Sequence, residues 1–173
     1  MAPGDLGLER VRTEQLVGRR PQPDDLASYV AFFCDPRVDE AAWPAAFRTP
    51  ERARQVLDGH LAHWERWGFG PWAVELGGAV IGWGGLEHTT VAGRPEIELL
   101  WFVHPDHWGQ GYATEMAREA VRVAFEVLEL DDVVAFTTPA NAASLRVVDH
   151  LGMGFEAEIE HVGLPHVLYR LRR

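Results

Sequence analysis

Apolar positions along the chain change period several times, and each change marks a predicted element. Residues 1–9 hold no period and read as a loose tail; the folded domain is placed at 13–173, with 1–12 as a flexible N-terminal tail. Glu14 to Arg20 predicts a short first strand. Pro23-Asp24-Asp25 opens a helix, with Asp24 as cap and Leu26, Tyr29, Val30 and Phe33 on one face, and Asp35-Pro36 ends it. Glu40 to Arg48 is irregular. Thr49-Pro50-Glu51-Arg52 is a helix start with Thr49 as N-cap and Pro50 in the first turn. Val56, Leu57, Leu61 and Trp64 continue its apolar stripe to Gly68 and Gly70.

The period then shortens. Trp72 to Leu76 and Val80 to Leu86 flank Gly77-Gly78, a two-residue hairpin signal, and Gly93-Arg94-Pro95 turns into a third strand, Glu96 to Val103. Ala113, Met116, Ala117, Ala120, Val123, Ala124, Val127 and Leu128 follow the i, i+3, i+4, i+7 pattern of a core-facing helix. Val133 to Thr137 is a short buried strand, Asn141 to Leu151 a helix ended by Gly152, and Phe155 to Ile159 and Val167 to Leu171 are final strands. This order predicts an α/β domain with a mixed sheet. The helical crossover makes Glu96–Val103 and Val133–Thr137 parallel neighbours.

A chain of 173 residues is one domain by size. No apolar run approaches the roughly 20 residues that span a bilayer, and the N-terminus lacks a signal-peptide core. The single cysteine, Cys34, excludes an intrachain disulfide, and a cytoplasmic location is expected. Within Ala31-Phe32-Phe33-Cys34 it reads as a small buried hydrophobe rather than a nucleophile. The net charge is −10, which argues against nucleic acid as a partner and favours cationic small molecules or peptides.

Candidate chemistry concentrates in His104-Pro105-Asp106-His107-Trp108-Gly109-Gln110-Gly111-Tyr112-Ala113-Thr114-Glu115-Met116, which joins a strand to an amphipathic helix. Such a turn leaves backbone N–H groups free at a helix start, where the dipole is positive, and suits a phosphate. Glycines let ligand oxygens approach the backbone. The alternative is a plain strand-to-helix turn. A dinucleotide fingerprint would need a third glycine, where Thr114 stands, and an acid after the next strand, whereas Asp131-Asp132 precede it. His104, His107, His161 and His166 raise a metal site, but no cysteine or carboxylate spacing completes one, and none is assigned.

On Trp108-Gly109-Gln110-Gly111-Tyr112-Ala113-Thr114-Glu115, with Asn141-Ala142-Ala143-Ser144 and the following helix to Gly152, the chain from about Thr13 to Arg173 resembles the GNAT superfamily of N-acetyltransferases. It is most similar to the ribosomal-protein-alanine N-acetyltransferase branch. His107 takes an aromatic position of that branch, and Trp108 stands where the wider superfamily has Gln or Arg. The resemblance implies a single-domain GNAT fold: a mixed, mostly antiparallel central sheet flanked by helices, with a parallel, splayed strand pair at the cofactor site. It implies acetyl-CoA as co-substrate, held by Trp101, Phe102 and Val103 on the splayed strand, by Trp108, Gly109, Gln110, Gly111, Tyr112, Ala113 and Thr114 on the turn, and by Asn141 and Ser144 beside the pantetheine arm. Asn141 is the only asparagine of the chain. Asn141 and Ser144 also serve as a plain helix cap.

The activity implied is direct attack of a primary amine on the thioester. The amine must be neutral, its proton needs a base or water chain, and the developing oxyanion needs a backbone N–H near Phe102 or Val103. Glu98 is the candidate base: it shares a strand face with Leu100 and Phe102, and the family has an acid at this point; a salt-bridged or solvated Glu is the structural alternative. Glu87 and His88 are second choices. Many superfamily members place a tyrosine where Val148 stands, so the acid falls to Ser144, with Tyr112 as another candidate. Trp43, Phe47 and Trp83, with Glu98, are candidate acceptor contacts, and Trp67 and Phe69 lie in the same region. The acceptor is a small-molecule or peptide amine, with no nucleic acid or membrane partner, and homodimerisation is left open. A catalytically degenerate acyl-CoA-binding domain, acting as sensor or scaffold, is the non-enzyme alternative.

Overall fold

The computed structural model describes residues 6–38 and 44–173. Eight strands form one sheet: β1 (Arg10–Arg12), β2 (Val17–Arg19), β3 (Trp72–Leu76), β4 (Ala79–Val91), β5 (Arg94–Val103), β6 (Asp132–Thr137), β7 (Gly154–His161) and β8 (Leu164–Arg172). The α-helices among the described residues are α1 (Leu26–Phe33), α2 (Pro50–Trp67), α3 (Tyr112–Arg122) and α4 (Ala142–Leu151). The strand order is β1-β2-β3-β4-β5-β6-β8-β7. Every neighbouring pair is antiparallel except β5 and β6, which are parallel. None of these helices is long and apolar enough to cross a membrane.

Local chemistry explains the boundaries. Thr49 caps α2, its hydroxyl oxygen accepting the Arg52 N–H at 3.1 Å, and Pro50 follows in the first turn. Asn141 caps α4 in the same way, Oδ1 accepting from Ser144 N–H at 3.1 Å. α3 runs on into a π turn at Val123–Val127. Leu99 and Leu100 point to opposite faces of β5 and seed two cores. Leu99 joins Met116, Ala117, Ala120, Val147 and Val148 beneath α3 and α4. Leu100 and Phe102 pack with Tyr29, Phe32, Phe33, Leu57 and Trp83 beneath α1 and α2.

Several expectations are corrected. The ordered chain starts before residue 13: Leu8 and Val11 are buried, and β1 pairs with β2. Thr13 Oγ1 and both Gln15 nitrogens donate to the Glu115 carboxylate on α3, which ties this segment to the glycine turn. The strand placed at Glu14 to Arg20 is only Val17–Arg19. Pro23–Asp25 is a 3-10 turn capped by Gln22, and Asp25 rather than Asp24 holds it by accepting from Gln22 N–H at 2.7 Å and pairing with Arg19. Cys34 is exposed, because it follows α1 at its C-cap, beyond the stripe of Tyr29, Phe32 and Phe33 that meets the sheet.

Candidate active site

β5 and β6 share one registered pair, Glu98 with Val134, and then diverge. Beyond that point the inner edges have no strand partner. The His104 N–H donates to Ile81 O on β4 at 2.7 Å. Peptide groups alternate sides along a strand, so Phe102 also faces β4, while Trp101 and Val103 face the gap. The Val103 carbonyl accepts from the Trp108 indole N–H at 2.6 Å. Trp108 therefore fixes the end of the splayed strand, and the Trp101 peptide and the Val103 N–H remain as the free edge. Of Phe102 and Val103, only Val103 turns its N–H toward the gap.

A cavity of about 450 Å³ opens beside this edge. Its walls include Trp101, Phe102 and Val103, then Trp108, Gly109, Gly111, Tyr112, Ala113 and Thr114, and across the gap Asn141 and Ser144. Gly109 and Gly111 have φ of +74° and +83°, a region that disfavours side chains. A Cβ built on Gly111 meets nothing within 4 Å, so the turn is open toward any ligand. Gln110 is an exception to the expected set: it lines a separate depression with Thr13, Gln15, Glu115 and Arg118.

The sequence reading missed one wall. Ala143, Arg146, Val147 and His150 line the cavity from α4, and His107 from the turn. Their spacing of i, i+3, i+4 and i+7 is a single helix stripe and was available as a signal. Arg146 is exposed, with no ion-pair partner among the described residues, and so is an available cation at the cavity.

A second cavity of about 140 Å³ lies at the inner end of the gap. Glu98, Phe136, Thr137, Val148 and His166 line it, and Trp101, Asn141 and Ser144 line both cavities, so the two adjoin. Glu98 is half-buried, without a hydrogen-bond donor among the described residues. Burial, reinforced by the Glu87 carboxylate, holds its pKa well above the ordinary value. Burial also raises Glu87, to about 7. Val148, only 2% exposed, makes the tyrosine position an apolar wall.

The expected acceptor residues fare differently. Trp83 is core: it stacks on Phe102 at 4.4 Å and on Tyr29 at 4.7 Å, with 4% of its surface exposed. Beneath it the Tyr29 hydroxyl and His60 Nδ1 share a buried hydrogen bond of 2.9 Å. Phe69 is also core, while Trp67 is exposed and stacks on His88 at 4.0 Å. Phe47, half-buried in the 3-10 turn Ala45–Phe47, lines neither cavity. Trp43 lies outside the described residues. Among the described residues no three His, Cys, Asp or Glu side chains gather as metal ligands.

The sequence profile of the acetyltransferase (GNAT) domain family matches residues 15–154, which span the glycine turn, the splayed strands and α4. The chain belongs to the GNAT acetyltransferase family. An FsC-acetyl coenzyme A-N(2)-transacetylase of Aspergillus fumigatus is 39% identical over 92 residues, covering 50% of this chain and 39% of that relative's length. An acetyltransferase from Agrobacterium tumefaciens superposes with a TM-score of 0.81 at 28% identity, over 95% of this chain and 94% of the other. Mycobacterium smegmatis RimJ, solved in complex with CoA-disulfide, has the same fold, with a TM-score of 0.70 at 21% identity over 91% and 81% of the two chains. The GNAT acetyltransferases carry acetyl groups from acetyl-CoA to amines, and the free strand edge, open turn and Arg146 of this chain suit a phosphate-bearing pantetheine thioester.

Proposed function

We propose that this acetyltransferase moves the acetyl group of acetyl-CoA onto a primary amine by direct attack, with a small molecule or peptide as acceptor. One observation carries it: the cavity beside the glycine turn and the cavity lined by the desolvated Glu98 carboxyl adjoin, sharing Trp101, Asn141 and Ser144 in their walls. Acetyl-CoA supplies an activated thioester. The amides from Gly109 to Thr114, with Arg146, hold its phosphates. The free peptide edge of Trp101 and Val103 pairs with pantetheine amides as a neighbouring strand would. The Val103 N–H stabilises negative charge on the thioester oxygen.

Glu98 accepts a proton from the incoming amine. A carboxylate whose pKa is lifted by burial is a better base than a solvated one, provided enough of it is ionised at the working pH. Ser144, in the walls of both cavities, offers a hydroxyl that can give a proton to the leaving sulfur, a role for which the apolar Val148 has no donor. Tyr112 lines only the outer cavity. Much of the acceleration comes from orientation in the shared gap. The exposed Cys34, without a disulfide partner in the chain, suits a reducing cytoplasm.

Mass spectrometry of alkylamines, peptides and purified basic proteins after incubation with acetyl-CoA tests this function. Amide products that require Glu98 are expected. Acetyl-CoA binding without any amide product would instead identify a sensor or scaffold, and an ester or thioester product would identify a different nucleophile.

A further inference from the structure

The mechanism above gives Glu87 no task, yet Glu87 is the direct cross-strand partner of Glu98. Opposed residues on antiparallel strands share a face, with Cβ atoms about 5 Å apart, and like charges there are destabilising. A carboxylate pair withdrawn this far from water, both members half-buried, normally carries a guanidinium or ammonium with it. Among the described residues no guanidinium forms an ion pair with either carboxylate. Arg19 is closed by Asp25 and Glu75. Arg170 is closed by Glu96, Asp132 and Glu156.

The other titratable groups around the pair are also committed. From α1, the Tyr29 hydroxyl is bonded to His60 of α2. From α2, His63 meets the Phe69 carbonyl through Nδ1 and His88 through Nε2. Burial pushes both His60 and His63 toward the neutral form. β6 presents Val134 beside Glu98. From β8, His166 lines the inner cavity, with Nδ1 donating to the Leu164 carbonyl. On β5, Glu96 is spent on Arg170.

We propose that Glu87 and Glu98 together form a cation site that receives the acceptor as an alkylammonium ion, which makes Glu87 a substrate-binding residue and selects aliphatic amines or peptide N-termini over arylamines. The proposal rests on the acetyl-transfer reading above. Aliphatic amines are cations at neutral pH, with a lysine-like value near 10.4 and an α-amino value near 8, whereas arylamines are neutral. The ammonium gives one proton to the Glu98 carboxylate, and the freed nitrogen lone pair forms the C–N bond as the C–S bond breaks. A second N–H proton leaves with the sulfur. Overall, R–NH3⁺ and acetyl-CoA give the N-acetyl amide, CoA thiol and one H⁺, which Glu98 releases to solvent. While Glu98 is protonated, Glu87 keeps a negative charge in the site.

The test uses the full chain saturated with CoA, ¹³C-labelled at glutamate carboxyls, with n-butylammonium and aniline as probes read by NMR and calorimetry. n-Butylammonium is expected to shift the Glu87 and Glu98 signals. Glu87→Gln should weaken its binding tenfold or more, Glu87→Asp should retain most of it, and aniline should bind at least tenfold more weakly to the parent. CoA affinity should be the same in all variants. Failure of n-butylammonium to bind the parent, undiminished binding by Glu87→Gln, or equal binding of aniline overturns the proposal. Glu87-dependent ammonium binding without acetylated product upholds the cation site and removes the transfer reaction instead.

Discussion

At Gly111 backbone conformation and ligand chemistry bear on the same atom. Its φ of +83° disfavours a β-branched residue, and the space its Cβ would enter is open. Gly111→Val therefore adds backbone strain of about 1–3 kcal/mol and puts methyl groups where an anion would approach the amides. A loss of acetyl-CoA affinity of tenfold or more is expected in calorimetry, and unchanged affinity would remove the anion site. Glu98→Gln should lower kcat at neutral pH, recover partly at high pH as free amine accumulates, and leave CoA affinity unchanged. Stability changes as well. Glu87 and Glu98 bind protons more tightly in the folded state, so the associated stability is complete below the ordinary value of 4.5 and declines as pH climbs, for Glu87 through about 7. Glu98→Gln should consequently raise Tm relative to the parent at pH 8 but hardly at pH 4.5. The anomaly at Glu98 was legible in the sequence, because a carboxylate on the strand face of Leu100 and Phe102 is costly, and Glu98 is half-buried at the inner cavity. Trp83 was not, because an aromatic side chain looks the same in a core stack as in a pocket wall.

Among the elements, the β4–β5 hairpin carries the site, and its packing is tight. A Cβ on Gly82 would stand 2.0 Å from the Phe102 carbonyl oxygen, which is backbone and has nowhere to go. Gly82→Ala should destabilise by about 3 kcal/mol, with a Tm fall of roughly 6–12 °C, or else displace β5. A thermal melt indistinguishable from the parent's would show that the hairpin is looser than described. The β3–β4 hairpin, the capped α2 and the parallel β5–β6 pair were readable, because each rests on local signals: Gly77-Gly78, Thr49-Pro50 and the apolar stripe of the crossover helix. β1 was not. Three residues have too short a period to register, and their order comes from pairing with β2 and from burial of Leu8 and Val11. The extent of the splay is likewise set by how β5 and β6 meet different neighbours, and by the Trp108 hydrogen bond at the strand's end.

For the molecule as a whole, the charge of −10 and the proposed anionic co-substrate oppose each other. The local field resolves the conflict: Arg146 and the start of α3 face the outer cavity, while acidic groups dominate elsewhere. Salt screens the long-range repulsion and the exposed Arg146 contact together, with a Debye length of about 10 Å at 0.1 M. The parent should thus show a nearly flat dependence of acetyl-CoA affinity on ionic strength. Arg146→Ala should bind about threefold to tenfold more weakly at low salt and then improve as salt is added, since only the repulsion is left to screen. Titrations at two or three salt concentrations decide it, and an identical salt slope for both proteins would remove Arg146 from the phosphate site.

The indole of Trp108 gives the site its own optical reporter. Of the seven tryptophans, Trp64, Trp72 and Trp83 are sealed in the cores and Trp67 lies against His88, whereas Trp108 is 50% exposed on the rim of the outer cavity with its N–H anchored to the strand end. A molecule settling on the glycine turn changes the polarity around that ring. Emission of the unlabelled protein should accordingly shift during a CoA titration, and Trp108→Phe should remove the part of the response that does not come from Trp101, which lines both cavities.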